Sequence, residues 1–184
     1  MTALPKHKMT VDEFLAWAET QPGRWELYDG VPVEMSSERV IHGRVKYLIA
    51  KAFERAIDRA GLPCQFLLDC VAVRIDKHRC YQPDVLVHCG DPLPDDAIEV
   101  PDPIVVVEVL SPSNAMKDLR DKLVGYFQVR SIVHYLIVDP DNRLVIHHAR
   151  GSEAIATRIV RDGSSLKLDP PCLEMAVGEF FPPT

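Results

Sequence analysis

The chain has 184 residues, 47% hydrophobic and 26% charged, the balance of an ordinary globular protein with enough length for a full-sized core. A net charge of −6 excludes a strong non-specific nucleic-acid binder and leaves weak, salt-sensitive contact with DNA as the expected limit. No apolar run approaches the roughly 20 residues of a membrane helix, the N-terminal MTALPKHKMT lacks a long apolar stretch, and the five cysteines contain no C-x-x-C pair. The expectations are a cytoplasmic chain without membrane association, reduced thiols and no zinc site of the usual kind.

In chain order, Thr10-Val11-Asp12-Glu13 has capping-box spacing ahead of Phe14, Leu15 and Ala18, which predicts a first helix ended by Gln21-Pro22-Gly23. RWELY-DG-VPVEM reads as a hairpin turning at Asp29-Gly30, and a two-residue turn puts Glu26 on one face with Tyr28, Val31 and Val33. A long helix is expected from about Glu38 to Ala60, with an apolar stripe of Ile41, Val45, Leu48, Ile49, Ala52, Phe53 and Ala56, stopped by Gly61 and Pro63. His42 falls at the edge of that stripe, and Arg44, Lys51 and Arg55 form a modest basic row elsewhere on the helix.

Three strands follow, at about Cys64–Ile75, Gln82–Cys89 and Ile104–Leu110, the last two separated by the proline- and acid-rich loop GDPLPDDAIEVPDP. A further helix is expected from about Asn114 to Val129, capped by Ser113, with Leu119, Leu123, Tyr126 and Phe127 on the core side. HYLIVD and RLVIHHA are two more strands around Pro140-Asp141-Asn142, and His147 and His148 point their rings to opposite faces. AIATRIVR and a short final element close the chain. The order α-ββ-α-βββ-α-ββ, with a strand or two after it, predicts one mixed α/β domain over residues 1–184.

Glu108 stands among valines in IVVVEVLSPSN, where a carboxylate costs several kcal/mol, roughly, unless something compensates it. Asp84 begins the preceding strand on the face of Leu86 and His88. If the two strands are neighbours, the carboxylates converge, and a divalent ion such as magnesium resolves their repulsion. Lys122 lies at the border of the core face of the second helix and can lean over the sheet, or pair with Asp118 at the surface. Glu26 on its hairpin and His42 on its helix are further candidates; their plain readings are a solvated edge and a satisfied helix contact.

These stretches resemble the Uma-two family of restriction-endonuclease-like proteins. The matching segments are WELYDGVPVEM, the His42 region, QPDVLV, PDPIVVVEVLSPSN, KDLRDKLVGY, and HYLIVDP with RLVIHH behind it. The resemblance implies the fold of the P-D-(D/E)-x-K nucleases, a central mixed sheet flanked by helices, holding one or two Mg²⁺ or Mn²⁺ ions. It gives Asp84 as the first acid, Glu108 as the second, Lys122 as the lysine supplied from the following helix, Glu26 as a hairpin acid and further metal ligand, and His42 as the helix-start histidine. The common nuclease pattern has its lysine at position 110, where this chain has leucine. The chain also departs from the family at VRSIVHYL, with His134 in place of an acid.

The implied activity is metal-dependent endonucleolytic hydrolysis of DNA, with a homodimer spanning the duplex. The alternatives are a nuclease-like fold serving as a binding or assembly module without turnover and, more remotely, a hydrolase of small phosphate esters.

Overall fold

The computed structural model describes residues 7–69, 71–111 and 116–183, and the side chains of residues 116–118 lie outside that description. The first helix, α1 (Val11–Ala18), carries the expected capping box: Glu13 N–H donates to Thr10 Oγ1, and Thr10 N–H donates to the Glu13 carboxylate. Strands β1 (Trp25–Tyr28) and β2 (Val31–Glu34) form the expected hairpin, with Asp29 and Gly30 both at positive φ, as a tight two-residue turn requires. Glu26 lies opposite Val33 and Tyr28 opposite Val31. The valines are exposed, whereas Glu26 is buried.

Helix α2 (Val40–Ala60) ends at Gly61 in the left-handed conformation, where glycine carries no Cβ penalty. The continuous strand expected over Cys64–Ile75 is instead two strands, β3 (Cys64–Leu68) and β4 (Val73–Asp76), in different sheets. The break falls at Asp69, whose φ of 50° no strand can accommodate and whose N–H donates to the carbonyl of Asp84. A short strand that sequence periodicity does not reveal, β5 (Arg79–Tyr81), turns back on β4 through an Asp76–His78 side-chain turn. The remaining elements are β6 (Val85–Cys89), β7 (Pro103–Val109), α3 (Met116–Tyr126), β8 (His134–Asp139), β9 (Leu144–Arg150), β10 (Ile155–Arg161), β11 (Ser165–Leu168), β12 (Leu173–Ala176) and a closing 3₁₀ turn over Val177–Phe180. The proposed cap at Ser113 lies outside the described residues, as does any partner of the Asp118 side chain.

Six strands form the central sheet in the order β10-β9-β8-β7-β6-β3, with β7 and β8 parallel and the other neighbours antiparallel. This is the mixed α/β arrangement expected. A second sheet runs β2-β1-β5-β4, and β11 and β12 pair separately. Both faces of the central sheet are covered. Val85, Val87, Val105 and Val107 share a core with Val45, Ile49 and Phe53 of α2, while Leu86, Val106 and Tyr135 share another with Tyr81 and Tyr126. Burial on both sides explains why β7 reads as an unbroken valine run.

The thiol expectation is corrected: Cys64 and Cys89, directly opposite across the β3–β6 pair, form a disulfide. Their opposition follows from strand register, which cysteine spacing does not encode. Cys80 is free and buried, and Cys172 free and exposed.

Candidate active site

The β6–β7 register sets the site. Val85 faces Val107, so Asp84, just ahead of β6, comes beside Glu108, near the end of β7. Helix α2 approaches this corner from one side and α3 from the other. All five candidates from the sequence, Glu26, His42, Asp84, Glu108 and Lys122, are buried.

Glu108 is held by α3. Lys122 Nζ lies 3.0 Å from Glu108 Oε1, and the Tyr126 hydroxyl donates to the same oxygen at 2.6 Å. Lys122 also lies 3.0 Å from Glu26 Oε1, so one ammonium bridges two carboxylates from two sheets. Glu26 Oε1 accepts the Gln82 N–H at 2.9 Å and Glu26 Oε2 the Tyr28 hydroxyl at 2.9 Å. Lys122 is therefore not the exposed half of a surface pair, and Glu26 is not on a solvated edge. The close seating of α3 depends on Gly125, where a Cβ would come within 2.7 Å of the buried Tyr81 ring. Tyr81 packs edge-on against Tyr126 and under the Lys122 ammonium.

Burial pushes the Glu108 carboxyl well above its ordinary value; Lys122 opposes this, Asp84 and Glu26 add to it, and the Tyr126 hydroxyl opposes it. Burial and the adjacent Glu108 likewise keep Tyr126 protonated, as a hydrogen-bond donor.

Asp84 belongs to a second cluster. Its Oδ2 accepts the Val109 N–H at 2.6 Å, which ties it across to β7, and its Oδ1 lies 3.0 Å from Lys46 Nζ. Lys46, on α2, also meets Glu38 at 2.6 Å and both Asp69 oxygens at 2.9 and 3.0 Å. Arg24 braces Asp69 at 3.0 Å. Burial works against the Lys46 ammonium, but Asp84, Glu38 and Asp69 outweigh it and raise its pKa.

Lys46, Glu38 and Asp69 are absent from the candidates read from sequence. Lys46 left a signal: it sits among Val45, Ile49 and Phe53 as a charge on the apolar side of α2. Asp69 and Glu38 left none, because a loop acid looks the same whether it faces a lysine or water.

His42 joins neither carboxylate cluster. Its Nε2–H donates to the carbonyl of Leu110, one residue beyond β7, and its buried Nδ1 has no hydrogen-bond partner among the described residues.

Among the described residues, the two clusters together contain five carboxylates, Glu26, Glu38, Asp69, Asp84 and Glu108, and three cations, Arg24, Lys46 and Lys122. With every group ionised, two negative charges are in excess, and every anionic donor is a hard oxygen. That donor set fits a divalent ion of the magnesium type and does not suit zinc or copper. Among the described residues, Glu38, Asp69 and Asp84 bring ligand oxygens within 4.8 Å of one another.

Residues 11–177 match the model of the Uma2 family, described as "Putative restriction endonuclease". A Synechocystis protein, itself described as uncharacterised, is 29% identical over 136 residues, which is 73% of this chain and 70% of that one. The fold is similar to the crystal structure of a "putative nuclease belonging to DUF820" from Anabaena variabilis, with a TM-score of 0.73 and 16% identity over 94% of this chain and 97% of that one. The structural likeness shows a shared fold. The family match spans every element that carries the buried acids and lysines, and the chain belongs to the Uma2 family of restriction-endonuclease-like proteins.

Proposed function

We propose that the chain is a metal-dependent endonuclease hydrolysing phosphodiester bonds of DNA, with Mg²⁺ or Mn²⁺ held by Asp84 and Glu108. The observation that carries this reading is the placement, by the β6–β7 register at one corner of the sheet, of two buried carboxylates, each beside a buried lysine from a different helix. Bound there, such an ion supplies Lewis-acid charge at the scissile phosphate and makes an attacking water acidic.

The chain's own groups do the positioning. The Val109 N–H fixes Asp84, and the Tyr126 hydroxyl fixes Glu108. Glu26 holds the Lys122 ammonium beside Glu108, where it stabilises charge developing on the phosphoryl oxygens. Glu26, buried beside the same ammonium, would be the further oxygen donor to such an ion. His42 anchors the Leu110 carbonyl and so the end of β7 that carries Glu108.

A second reading, a catalytically silent binding or assembly module, draws on one feature: Lys46 and Lys122 already compensate the buried acids without any metal.

The test is incubation of the purified protein with supercoiled plasmid and single-stranded DNA in Mg²⁺ or Mn²⁺. Metal-dependent cutting is expected, lost in Glu108→Gln and in Asp84→Asn while circular dichroism is unchanged. Cutting that survives Glu108→Gln would overturn the assignment of the site. No cutting by the natural sequence with either metal would favour the silent module.

A further inference from the structure

Lys46 has a geometry that a merely structural ion pair does not need. The ammonium has three N–H donors and meets three carboxylates, those of Asp84, Asp69 and Glu38. The three acids are not equivalent. Asp84 is 7% exposed in its side chain, against 36% for Asp69 and 30% for Glu38. Asp84 Oδ2 is committed to the Val109 amide. Its Oδ1 is the oxygen left to bind a cation, and Lys46 covers it. The other two acids form a second seat for the ammonium, braced by Arg24 at 3.0 Å from Asp69 and 3.6 Å from Glu38.

We propose that Lys46 is an internal counter-ion that occupies Asp84 Oδ1 in the metal-free protein and yields it to the divalent ion, withdrawing onto Glu38 and Asp69. This rests on the reading of Asp84 as a metal ligand. The physical reason is charge. In the metal-free protein, three carboxylates without Lys46 would repel one another, and the most buried of them would bear a large desolvation cost. A divalent ion at Asp84 repels an ammonium about 3 Å from the same oxygen, so the lysine has to move or the ion binds weakly. Glu38 and Asp69 let it move without losing its partners. Lys46 thus stabilises the metal-free fold and sets the metal affinity below what the oxygen ligands alone would give. Neither Lys46, Glu38 nor Asp69 needs to touch the ion.

The experiment is Mn²⁺ titration by calorimetry, with melting curves in the presence and absence of Mn²⁺. The proteins are the natural sequence, Lys46→Met, Glu38→Gln/Asp69→Asn, and the triple variant. Lys46→Met is expected to bind Mn²⁺ about tenfold more tightly, to melt lower without metal and to gain more from added Mn²⁺. Glu38→Gln/Asp69→Asn strands the lysine on Asp84 and is expected to bind about fivefold more weakly. In the Lys46→Met background the same double substitution should have a clearly smaller effect, since the loss runs through the lysine.

Unchanged or weaker affinity in Lys46→Met overturns the proposal, as does full additivity of the substitutions. Should Lys46→Met not fold, unchanged or tighter binding in Glu38→Gln/Asp69→Asn overturns it alone. Absence of Mn²⁺ binding by the natural sequence removes the metal reading itself, whereas binding that neither variant alters removes only the role given to Lys46.

Discussion

Lys122 shows how much a single side chain can carry. Its ammonium is the shared partner of Glu26 and Glu108, two buried acids from different sheets, at 3.0 Å each. Removing one member of a buried ion pair leaves an uncompensated charge, which costs about 3–5 kcal/mol, whereas a well-packed apolar replacement of the whole group can be near neutral. Lys122→Met is therefore expected to lower the unfolding free energy by about that amount, measured by urea denaturation. Adding Glu26→Gln should return part of the loss, through a coupling on the order of 1–3 kcal/mol. Additive losses would show that Lys122 does not bridge the two acids. Tyr126 adds to the same point. It reads as a core aromatic, and it is one, yet its hydroxyl donates at 2.6 Å to Glu108. Periodicity identifies which residues face inward and says nothing about the polar atom at the end of a buried ring.

The strands β8, β9 and β10 carry a second buried polar device. Arg158 Nε–H donates to His147 Nδ1 at 3.0 Å, so the His147 proton is on Nε2, which donates to His134 Nδ1 at 2.9 Å. His134 Nε2–H then donates to the Pro170 carbonyl at 2.8 Å. The chain of donors works only with both rings neutral. His134, where the family resemblance led to an acid, is one half of a buried histidine pair. Burial, with His134, Arg158 and His148 adding to it, lowers His147 to about 3, and burial also lowers His134. The unfolded chain therefore binds more protons than the folded one below the ordinary histidine value of 6.5. The stability this relay provides is fully present above that pH and is lost progressively as the pH falls from there toward about 3. Urea midpoints are expected to drop between pH 7.5 and pH 5, with a smaller drop in His147→Gln, which cannot titrate. Equal midpoints at the two pH values would contradict the tautomers assigned.

For the molecule as a whole, the net charge of −6 constrains the contact with DNA that the proposed function requires. A small basic surface on an acidic protein gives few phosphate contacts, so binding to plasmid should be weak, about 1 μM or weaker at physiological salt, and should weaken further between 50 and 200 mM salt. Fluorescence anisotropy with labelled duplex, under metal-free conditions, measures both. Tight binding that ignores salt would require a different contact surface from phosphate pairing. Among the described residues no helix is long and apolar enough to cross a membrane.

The parts of this molecule that depend on neighbours in the chain are legible from the sequence. The Thr10–Glu13 capping box, the Asp29-Gly30 turn, the glycine stop of α2, the valine-rich β7 and the anomaly of Glu108 within it are of this kind, because each is decided within a few residues. The break at Asp69 and the short β5 hairpin escaped, since no glycine or proline marks them and their conformation is imposed by packing. Tertiary structure alone decided which distant groups meet. The Cys64–Cys89 bond and the approach of Asp84 to Glu108 follow from strand register. The bridging of Glu26 and Glu108 by Lys122, and the seating of Lys46 among Glu38, Asp69 and Asp84, follow from two helices closing on one corner of the sheet. A sequence shows that a buried charge must find a partner; only the packed fold selects the partner, because that choice is made by distances of about 3 Å between segments far apart in the chain.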